Sequence, residues 1–331
     1  MMTMRQIAEL AHVSVSTVSK AFAGAPDISS QTREHILRIA EENGCLGKYS
    51  KSGYAKKVIA VICPEIGSQH YAVMAEKLQA ALEKAGHLMV LGIDGFDARR
   101  QDELLDYFIS FNRISGAVLL DSLPHTKKGY DAPVVALGSS SPAVDAIALD
   151  MMPPISAAVG KLKELGHTRI AFLGETLTLT KERLFREAMR RHRLAVDETL
   201  VFTESERFEN AGYAAAKKLT EIDIPCTALV CAYDYIALGA IKYLQERGLR
   251  VPEDYSVIGM DNIRLDGYLA QSLSSIDVHA DEQIALAIDL LDRKMANRWY
   301  TARTQTVLSG EFILRDSVGV ARQITADAEK C

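Results

Sequence analysis

Apolar residues between positions 3 and 43 recur at helical spacing, and this pattern predicts three short helices separated by tight turns. Thr3 stands where it can cap the first helix, with Gln6 placed to return the bond in a capping box. Ser14 and Ser29 are of the residue type that caps the second and third helices. The faces expected to pack together contain Ile7, Ala8, Leu10, Ala11, Val18, Phe22, Ile36, Leu37, Ile39 and Ala40.

The pattern changes at residue 58, where short apolar runs begin to alternate with amphipathic helical stretches. The runs include 58–63, 89–93, 117–120, 134–137, 170–173, 228–231 and 256–259, and the helical stretches include 72–85, 101–111, 155–165, 181–193 and 235–247. The alternation predicts parallel sheets covered by helices on both faces. Because this region is large for one doubly wound sheet, we expect two α/β lobes, with the ligand site in the cleft beyond the carboxyl ends of the strands.

The stretch 44–57 holds three glycines, four lysines and almost no aliphatic side chains, which is typical of a linker. Residues 1–57 contain eight Lys and Arg against five Asp and Glu, a net charge of +3, whereas the remainder contains 30 against 38, a net charge of −8. A mildly basic head on an acidic body favours a protein whose head alone approaches phosphates.

The composition, 48% hydrophobic and 24% charged, is that of a globular protein. No run of eighteen apolar residues is present, so we expect no membrane association, and the first residues have no apolar signal core, so we expect a cytoplasmic protein. The five cysteines are scattered and form no C-x-x-C pair, which favours reduced thiols over a disulfide frame or a metal site.

Sequence motifs for catalysis are absent, since the chain has no G-x-S-x-G, G-x-x-x-x-G-K-[ST], G-x-G-x-x-G or H-E-x-x-H element. The eight histidines are dispersed, and His167 falls in a turn between a helix and a strand, where a structural role is expected. We therefore expect neither an enzyme nor a cofactor. A solute-binding transport protein is the other alternative, but it would have no use for the helical head.

The second predicted helix is rich in short hydroxyl side chains, with Ser14, Ser16, Thr17 and Ser19 close together. One interpretation is a capped helix that is simply solvated. Serine is not a strong helix former, however, and short hydroxyls together with helix N-terminal amides are the groups that contact phosphates. The composition therefore favours a recognition helix, whose N-terminal residues enter the major groove of DNA.

Residues 4–37 resemble the DNA-binding head of the lactose/galactose repressor (LacI/GalR) family. The resemblance rests on the string V-S-x-x-T-V-S-[KR], followed after about eight residues by [VI]-S-x-x-T-R. It implies that Val15, Ser16 and Lys20 face bases. It also implies that three hydroxyl residues approach phosphates, namely Thr17, Ser19 and Ser29. His12, where glycine is usual, and Ala23, where asparagine is common, depart from the family pattern.

The linker departs further from the family, whose hinge helix follows a Tyr-x-Pro-Asn element and inserts leucines into the minor groove. The corresponding residues here read Cys-Leu-Gly-Lys at 45–48, the linker is shorter, and no leucine wedge is visible. Two interpretations stay open. The segment is either a flexible tether, whose lysines (among them Lys48 and Lys51) make salt-sensitive phosphate contacts, or a hinge that kinks the operator.

The resemblance continues through the body, at L-G-H-T-R-I-A-F-L (165–173), at A-G-Y-A-A-A-K-K-L (211–219) and from A-L-G at 237 to G-M-D-N at 262. It implies two lobes like those of periplasmic sugar-binding proteins, joined by three crossings. We expect a helix-turn-helix domain at 1–46, a hinge at 47–57 and an effector-binding domain at 58–331. Within the last, the first lobe is expected at about 58–150 plus 278–309 and the second at about 151–277 plus 310–331.

The resemblance also implies pocket residues. His70 and Tyr71 lie in the loop where family effectors meet an aromatic ring, although a solvated loop histidine and a core tyrosine are equally simple interpretations. Asp261 matches the acid of the cleft, or serves as a turn aspartate. Tyr233 replaces a common asparagine, and the expected pocket cation is either Lys181 or Arg183. Such a set suits a polyol.

Taken together, the residues and the resemblance predict a transcription regulator, expected to be a repressor. We expect its partners to be a near-palindromic double-stranded DNA operator, a small-molecule effector that is a carbohydrate, and a second copy of the chain in a homodimer. We expect the effector to change the angle between the lobes and thereby the affinity for the operator.

Overall fold

Three short helices make up the head of the chain, as the apolar spacing predicts: α1 (Met4–Leu10), α2 (Val15–Ala23) and α3 (Ser30–Glu42). The predicted capping box is present, since the Gln6 amide donates to Thr3 Oγ1 (3.3 Å) and the Thr3 amide donates to Gln6 Oε1 (2.8 Å). Ser14 caps α2 and Ser29 caps α3, each by accepting a hydrogen bond of 3.1 Å from an amide three residues on.

The three helices enclose a small core of their own. It contains Ile7, Ala8, Ala11, Val18, Ala21, Phe22, Ile36, Ile39, Ala40 and Cys45. The prediction that Leu10 packs inward is wrong: its side chain is 50% exposed, because α1 turns it away from α2 and α3. His12, between α1 and α2, has a φ of +54°, the left-handed conformation in which glycine is least strained.

The computed structural model describes residues 2–23, 25, 27–46, 56–112, 114–121, 130–222, 224–263, 271–297 and 302–322. The chain divides into two compact units, one of residues 1–58 with 86–88 and the other of the remaining residues. No helix in the described ranges is long and apolar enough to cross a membrane.

The body contains a six-stranded sheet in the order β2-β1-β3-β4-β5-β11. Its strands are β1 (Val58–Cys63), β2 (Leu88–Ile93), β3 (Gly116–Leu120), β4 (Val134–Gly138), β5 (Asp145–Asp150) and β11 (Gln305–Ser309). The pairings β1–β3, β3–β4, β4–β5 and β5–β11 are parallel. The helices of this lobe are α4 (Gln69–Lys84), α5 (Ala98–Asp106), which continues as a π-helical turn, and α10 (Ala280–Ala296). We call this the first lobe.

A second lobe is built on a four-stranded parallel sheet in the order β7-β6-β8-β9, with an antiparallel pair β10–β12 beside it. Its strands are β6 (Ile170–Glu175), β7 (Val201–Glu204), β8 (Ala228–Cys231), β9 (Ser256–Ile258), β10 (Ser275–Asp277) and β12 (Glu311–Ile313). Its helices are α6 (Met152–Glu164), α7 (Leu179–Arg191), α8 (Phe208–Glu221) and α9 (Asp234–Glu246). The predicted fold class, a helical head with two parallel-sheet lobes, is confirmed.

The chain passes between the lobes three times, after β5, between β10 and α10, and between β11 and β12. The segment after β10 therefore returns to the first lobe, where β11 pairs with β5 and places Thr306 opposite Ile147.

Two glycines of the A-G-Y and A-L-G elements allow α8 and α9 to touch. A Cβ atom added at Gly212 would lie 1.9 Å from the Ile236 carbonyl oxygen, and one added at Gly239 would lie 1.9 Å from the Glu209 carbonyl oxygen. The two backbones are in direct contact at these points, so any larger residue would push the helices apart.

Candidate nucleic-acid interface and ligand site

Helix α2 separates a packed face from an exposed one. Val18, Ala21 and Phe22 are buried against the other two helices, while the opposite face is open to solvent. The exposed face carries Val15, Ser16, Ser19 and Lys20, with Thr17 half-buried beside them. Val15 is 45% exposed, so its methyl groups are available for contact with a thymine methyl group.

The N-terminus of α2 carries a cluster of hydroxyl groups. Ser14 Oγ lies 2.7 Å from Ser16 Oγ and 2.8 Å from Thr17 Oγ1, and it accepts the Thr17 amide. At the start of α3, Ser29 Oγ lies 2.7 Å from Thr32 Oγ1. Hydroxyl groups and backbone amides at a helix N-terminus are donors that phosphate oxygens can accept from.

Lys20 is paired within the head itself. Its Nζ lies 2.5 Å from Asp27 Oδ2, and both side chains are more than half exposed. The hydrogen bond from Lys20 lowers the pKa of Asp27 below its ordinary value. A DNA duplex contacted by Lys20 therefore competes with the Asp27 carboxylate for the lysine ammonium group. Lys48 and Lys51, the predicted linker contacts, lie outside the described residues.

Four of the six predicted effector residues meet where strands of both lobes end. Lys181, in the first turn of α7, donates to Asp261 Oδ1 (3.0 Å) and to the Ala232 carbonyl (2.8 Å). Its Nζ also lies 4.5 Å from the centre of the Tyr233 ring. The Lys181 and Asp261 side chains are only 22% and 9% exposed, so this ion pair is largely desolvated.

Tyr71 approaches the same place from the first lobe. Its hydroxyl donates to Asp121, which follows β3. Burial raises the pKa of Tyr71, and the negative charges of Asp121 and Asp261 raise it further, as does the neighbouring Tyr233 hydroxyl. Tyr71 therefore stays neutral and acts as a hydroxyl donor between carboxylates of the two lobes.

Asp234 is the buried acid of this region, with 1% of its surface exposed. Its carboxylate accepts hydrogen bonds from Ser275 Oγ (2.6 Å) and from the Ile263 amide (2.8 Å). Burial, followed by the charge of Asp261, raises the pKa of Asp234 to about 8. The group therefore holds a proton at neutral pH, and it was not among the residues selected from the sequence.

The segment that carries Asp261 has a strained backbone and is hydrogen-bonded to a residue at one of the lobe crossings. Asp261 and Asn262 have φ values of +96° and +47°. Asn262 donates to Asp277 (3.0 Å), at the end of β10, and accepts from Arg315 (2.7 Å), which follows β12. A ligand that moves Asp261 would therefore act on the connections through which the lobes turn.

The other two predicted effector residues, Arg183 and His70, differ in their surroundings. Arg183 is exposed and donates to Thr180 one turn earlier in α7, so Lys181 is the cation that reaches Asp261. His70 contacts Tyr71 edge-on and lines a cavity of about 990 Å³, together with residues of α4, of the start of α10 and of the second lobe, among them Asp234 and Asp261.

Three charged residues that the sequence analysis did not select form a cluster across the lobes. Arg207, which directly precedes α8, contacts both Glu65, after β1, and Glu175, at the end of β6. Glu65 follows β1, and Glu175 is the last residue of β6. A charged residue at the end of a buried strand is the sequence signal that could have identified both.

No group of three or more potential ligands for a metal ion exists in the described part of the chain. Cys45, Cys63, Cys226 and Cys231 are free and buried, as expected for core thiols, whereas Cys331 lies outside the described residues.

Comparison with known proteins gives the family. A model of the lacI family of bacterial regulatory proteins matches residues 3–44, and a periplasmic binding protein-like domain model matches residues 159–318. The HTH-type transcriptional repressor CytR of Escherichia coli (strain K12) is 30% identical over 289 residues, 83% of this chain and 84% of that protein.

Two solved structures share the fold along nearly the whole chain. The lac repressor dimer bound to operator and the anti-inducer ONPF superposes with a TM-score of 0.71 at 20% identity, covering 96% of this chain and 99% of that one. The cellobiose complex of the transcriptional regulator CelR superposes with a TM-score of 0.67 at 24% identity, covering 96% and 100%. The chain belongs to the lacI family of bacterial regulatory proteins.

Proposed function

We propose that this protein is a transcriptional repressor whose affinity for its DNA operator is controlled by a sugar or sugar derivative bound between the two lobes. The observation that carries the proposal is the exposed face of α2, where Val15, Ser16, Ser19 and Lys20 lie opposite the packed face. The similarity to the transcriptional repressor CytR supports it.

In this proposal Val15, Ser16 and Lys20 contact base edges in the major groove. The hydroxyls of Thr17, Ser19 and Ser29 contact phosphates and set the position of the helix on the duplex. Two copies of the chain present two heads to a near-palindromic site, with half-sites about one helical turn apart. The similarity of fold to an operator-bound repressor dimer supports this arrangement.

The effector site of the proposal lies around the Lys181–Asp261 pair. Tyr71 and Tyr233 offer aromatic faces and hydroxyls, and the carboxylates of Asp121 and Asp261 are acceptors suited to the hydroxyls of a sugar. The fold shared with a cellobiose-bound regulator supports a carbohydrate. A ligand that engages Asp261 changes the lobe angle through the strained 261–262 segment, with a coupling of about 1–3 kcal/mol to operator affinity.

The DNA half of the proposal is tested by fluorescence anisotropy on a duplex recovered by selection from a random pool. Ser16→Ala and Lys20→Ala should each weaken specific binding by about 1–3 kcal/mol. Arg38→Ala, which removes an exposed cation of α3 rather than of α2, is the matched control and should bind almost normally. Equal affinities for all three variants and the parent protein would refute the recognition assignment.

The effector half is tested by measuring the same anisotropy with a panel of mono- and disaccharides. A sugar that shifts operator affinity in the parent protein should shift it far less in Asp261→Asn, because the acceptor on the strained segment is altered. An unchanged response in that variant would refute the assignment of the effector site to Asp261.

A further inference from the structure

One arginine bridges the two lobes of the body. Arg207 belongs to the second lobe, and its two terminal nitrogens donate to the two carboxylate oxygens of Glu65 in the first lobe, at 2.6 and 2.9 Å. Two parallel N–H···O bonds between a guanidinium and a carboxylate are the strongest geometry available to an ion pair. The Arg207 and Glu65 side chains are 32% and 20% exposed, so solvent screens the pair only in part.

Arg207 is also anchored within its own lobe. Its Nε donates to Glu175 at 3.1 Å, and the Phe208 amide donates to the same carboxylate at 3.3 Å. Glu175 is fully buried, so its charge depends on this guanidinium for compensation. Hydrogen bonding to Glu65 raises the pKa of Arg207, and the charge of Glu175 raises it further, so Arg207 stays ionised.

Two aromatic residues with strained backbones flank the guanidinium. The Phe208 ring lies 4.4 Å from the Arg207 guanidinium carbon, and the Phe96 ring of the first lobe lies 5.8 Å from it. Phe208 and Phe96 have φ values of +55° and +63°, which are rare for bulky residues. Such strain persists only where surrounding contacts impose it.

A second hydrogen bond crosses beside this cluster. Tyr235, near the start of α9, donates to Gln69 Oε1 at the start of α4, at 2.8 Å. The Tyr235 ring packs against Phe208, with ring centres 6.0 Å apart. The cross-lobe contacts thus join the β1–α4 region of one lobe to the starts of α8 and α9 in the other.

We propose that Glu65, Arg207 and Glu175 form an interlobe latch that holds the body closed when no effector is bound. Opening the lobes breaks the Glu65–Arg207 bonds and leaves the Arg207–Glu175 bonds intact, because Glu175 moves with Arg207. The latch therefore sets the resting equilibrium between closed and open lobes, and an effector bound between the lobes shifts that equilibrium. These three side chains would form the latch even if the chain bound neither DNA nor a sugar.

Distance measurement between two spin labels tests the latch in the full-length protein. Labels are placed at Arg99→Cys, at the start of α5, and at Thr180→Cys, at the start of α7, since both positions are exposed and belong to opposite lobes. Cys331→Ser is added, because the other native cysteines are buried. Electron–electron double resonance then gives the distribution of interlobe distances without added ligand.

The decisive variant is Glu65→Gln, which removes only the arm of the latch that crosses between lobes. It should move the distribution to longer distances, with an increase on the order of tenfold in the ratio of open to closed molecules. Arg186→Gln is the matched control. It removes an arginine that bridges Glu182 and Glu198 in a similar way but within the second lobe alone, and it should leave the distances unchanged.

A distribution for Glu65→Gln that coincides with the parent's overturns the proposal, as does an equal shift in Arg186→Gln. A second variant, Arg207→Gln, leaves Glu175 buried without its cation, so its thermal midpoint should fall more than that of Glu65→Gln. Equal distance distributions for Arg207→Gln and the parent, in protein that circular dichroism shows to be folded, would also overturn the latch.

Discussion

Replacing Asp234 by asparagine should stabilise the protein, and the gain should grow as the pH rises. The carboxyl group is buried at the start of α9 and accepts bonds from Ser275 and the Ile263 amide. Asparagine has the same shape, keeps an oxygen for the Ile263 amide and carries no charge. The substitution therefore removes the cost of ionising a group that burial keeps protonated.

The magnitude follows from the raised pKa of Asp234, about 8 in the folded protein against an ordinary value of 3.8. Between these values the folded chain holds a proton that the unfolded chain has released. The free energy of unfolding therefore falls with pH, by about 1.4 kcal/mol per pH unit for this one group. The stabilising effect of the protonated acid is complete below the unfolded pKa and is lost as the pH rises towards the folded pKa.

Urea denaturation of the parent and of Asp234→Asn at a series of pH values between about 5 and 7.5 measures this effect. The difference in unfolding free energy between the two proteins should grow by about 3 kcal/mol across that range. All other titrating groups are shared, so they cancel in the difference. Asp131→Asn, at an exposed aspartate, is the control and should give a constant difference. Parallel pH profiles for the parent and Asp234→Asn would refute the reasoning.

Three further substitutions test other parts of the account. Asp27→Asn should tighten binding to duplex DNA by up to about fivefold at low salt in anisotropy titrations, because Lys20 loses its internal partner; an unchanged affinity would contradict this. In urea denaturation, His12→Gly should be more stable than His12→Ala by about 1 kcal/mol, because the backbone of residue 12 is in the left-handed region. The reverse order of stability would contradict that conformation. Lys181→Met should lower the free energy of unfolding by about 1–3 kcal/mol, because it leaves the Asp261 carboxylate without its cation, and adding Asp261→Asn should restore part of the loss. Fully additive losses for the two substitutions would show that the two side chains do not interact.

Local patterns in the sequence were sufficient to predict most of the helices and strands. The β1 boundaries were predicted as found, and the capping residues Thr3, Ser14 and Ser29 lie where their side-chain chemistry placed them. These features depend on contacts within a few residues. Helix starts in the body were predicted one to three residues late, because the first turn of a helix at the end of a buried strand has no apolar periodicity of its own.

Long-range geometry accounts for what the sequence did not reveal. Lys181 and Arg183 are equivalent by charge and position, and only the direction in which α7 leaves β6 decides that Lys181 meets Asp261. Arg207 and Glu65 are 142 residues apart, so their pairing depends on how the lobes close. Leu10 was misassigned because α1 has only seven residues, and in so short a helix the edge of the apolar face is decided by where the neighbouring helices lie.

The chemistry at the strand ends was partly predictable by a general rule. Side chains that follow parallel strands meet at one edge of a sheet, and Glu65, Asp121, Glu175 and Asp261 all occupy such positions. The rule identifies the set of candidates but not the role of each member. Burial and the identity of the nearest cation make that distinction, since Asp261 pairs with Lys181 while Glu65 and Glu175 share Arg207.

The central claim is that α2 of this chain reads DNA, and selection of binding sites from a random duplex pool by the full-length protein tests it most directly. At near-physiological salt the account predicts enrichment of a near-palindrome whose half-sites are about one helical turn apart. It also predicts that enrichment is lost when Lys20→Ala and Ser16→Ala are combined. A pool that stays random with the parent protein, with or without sugars present, would contradict the claim.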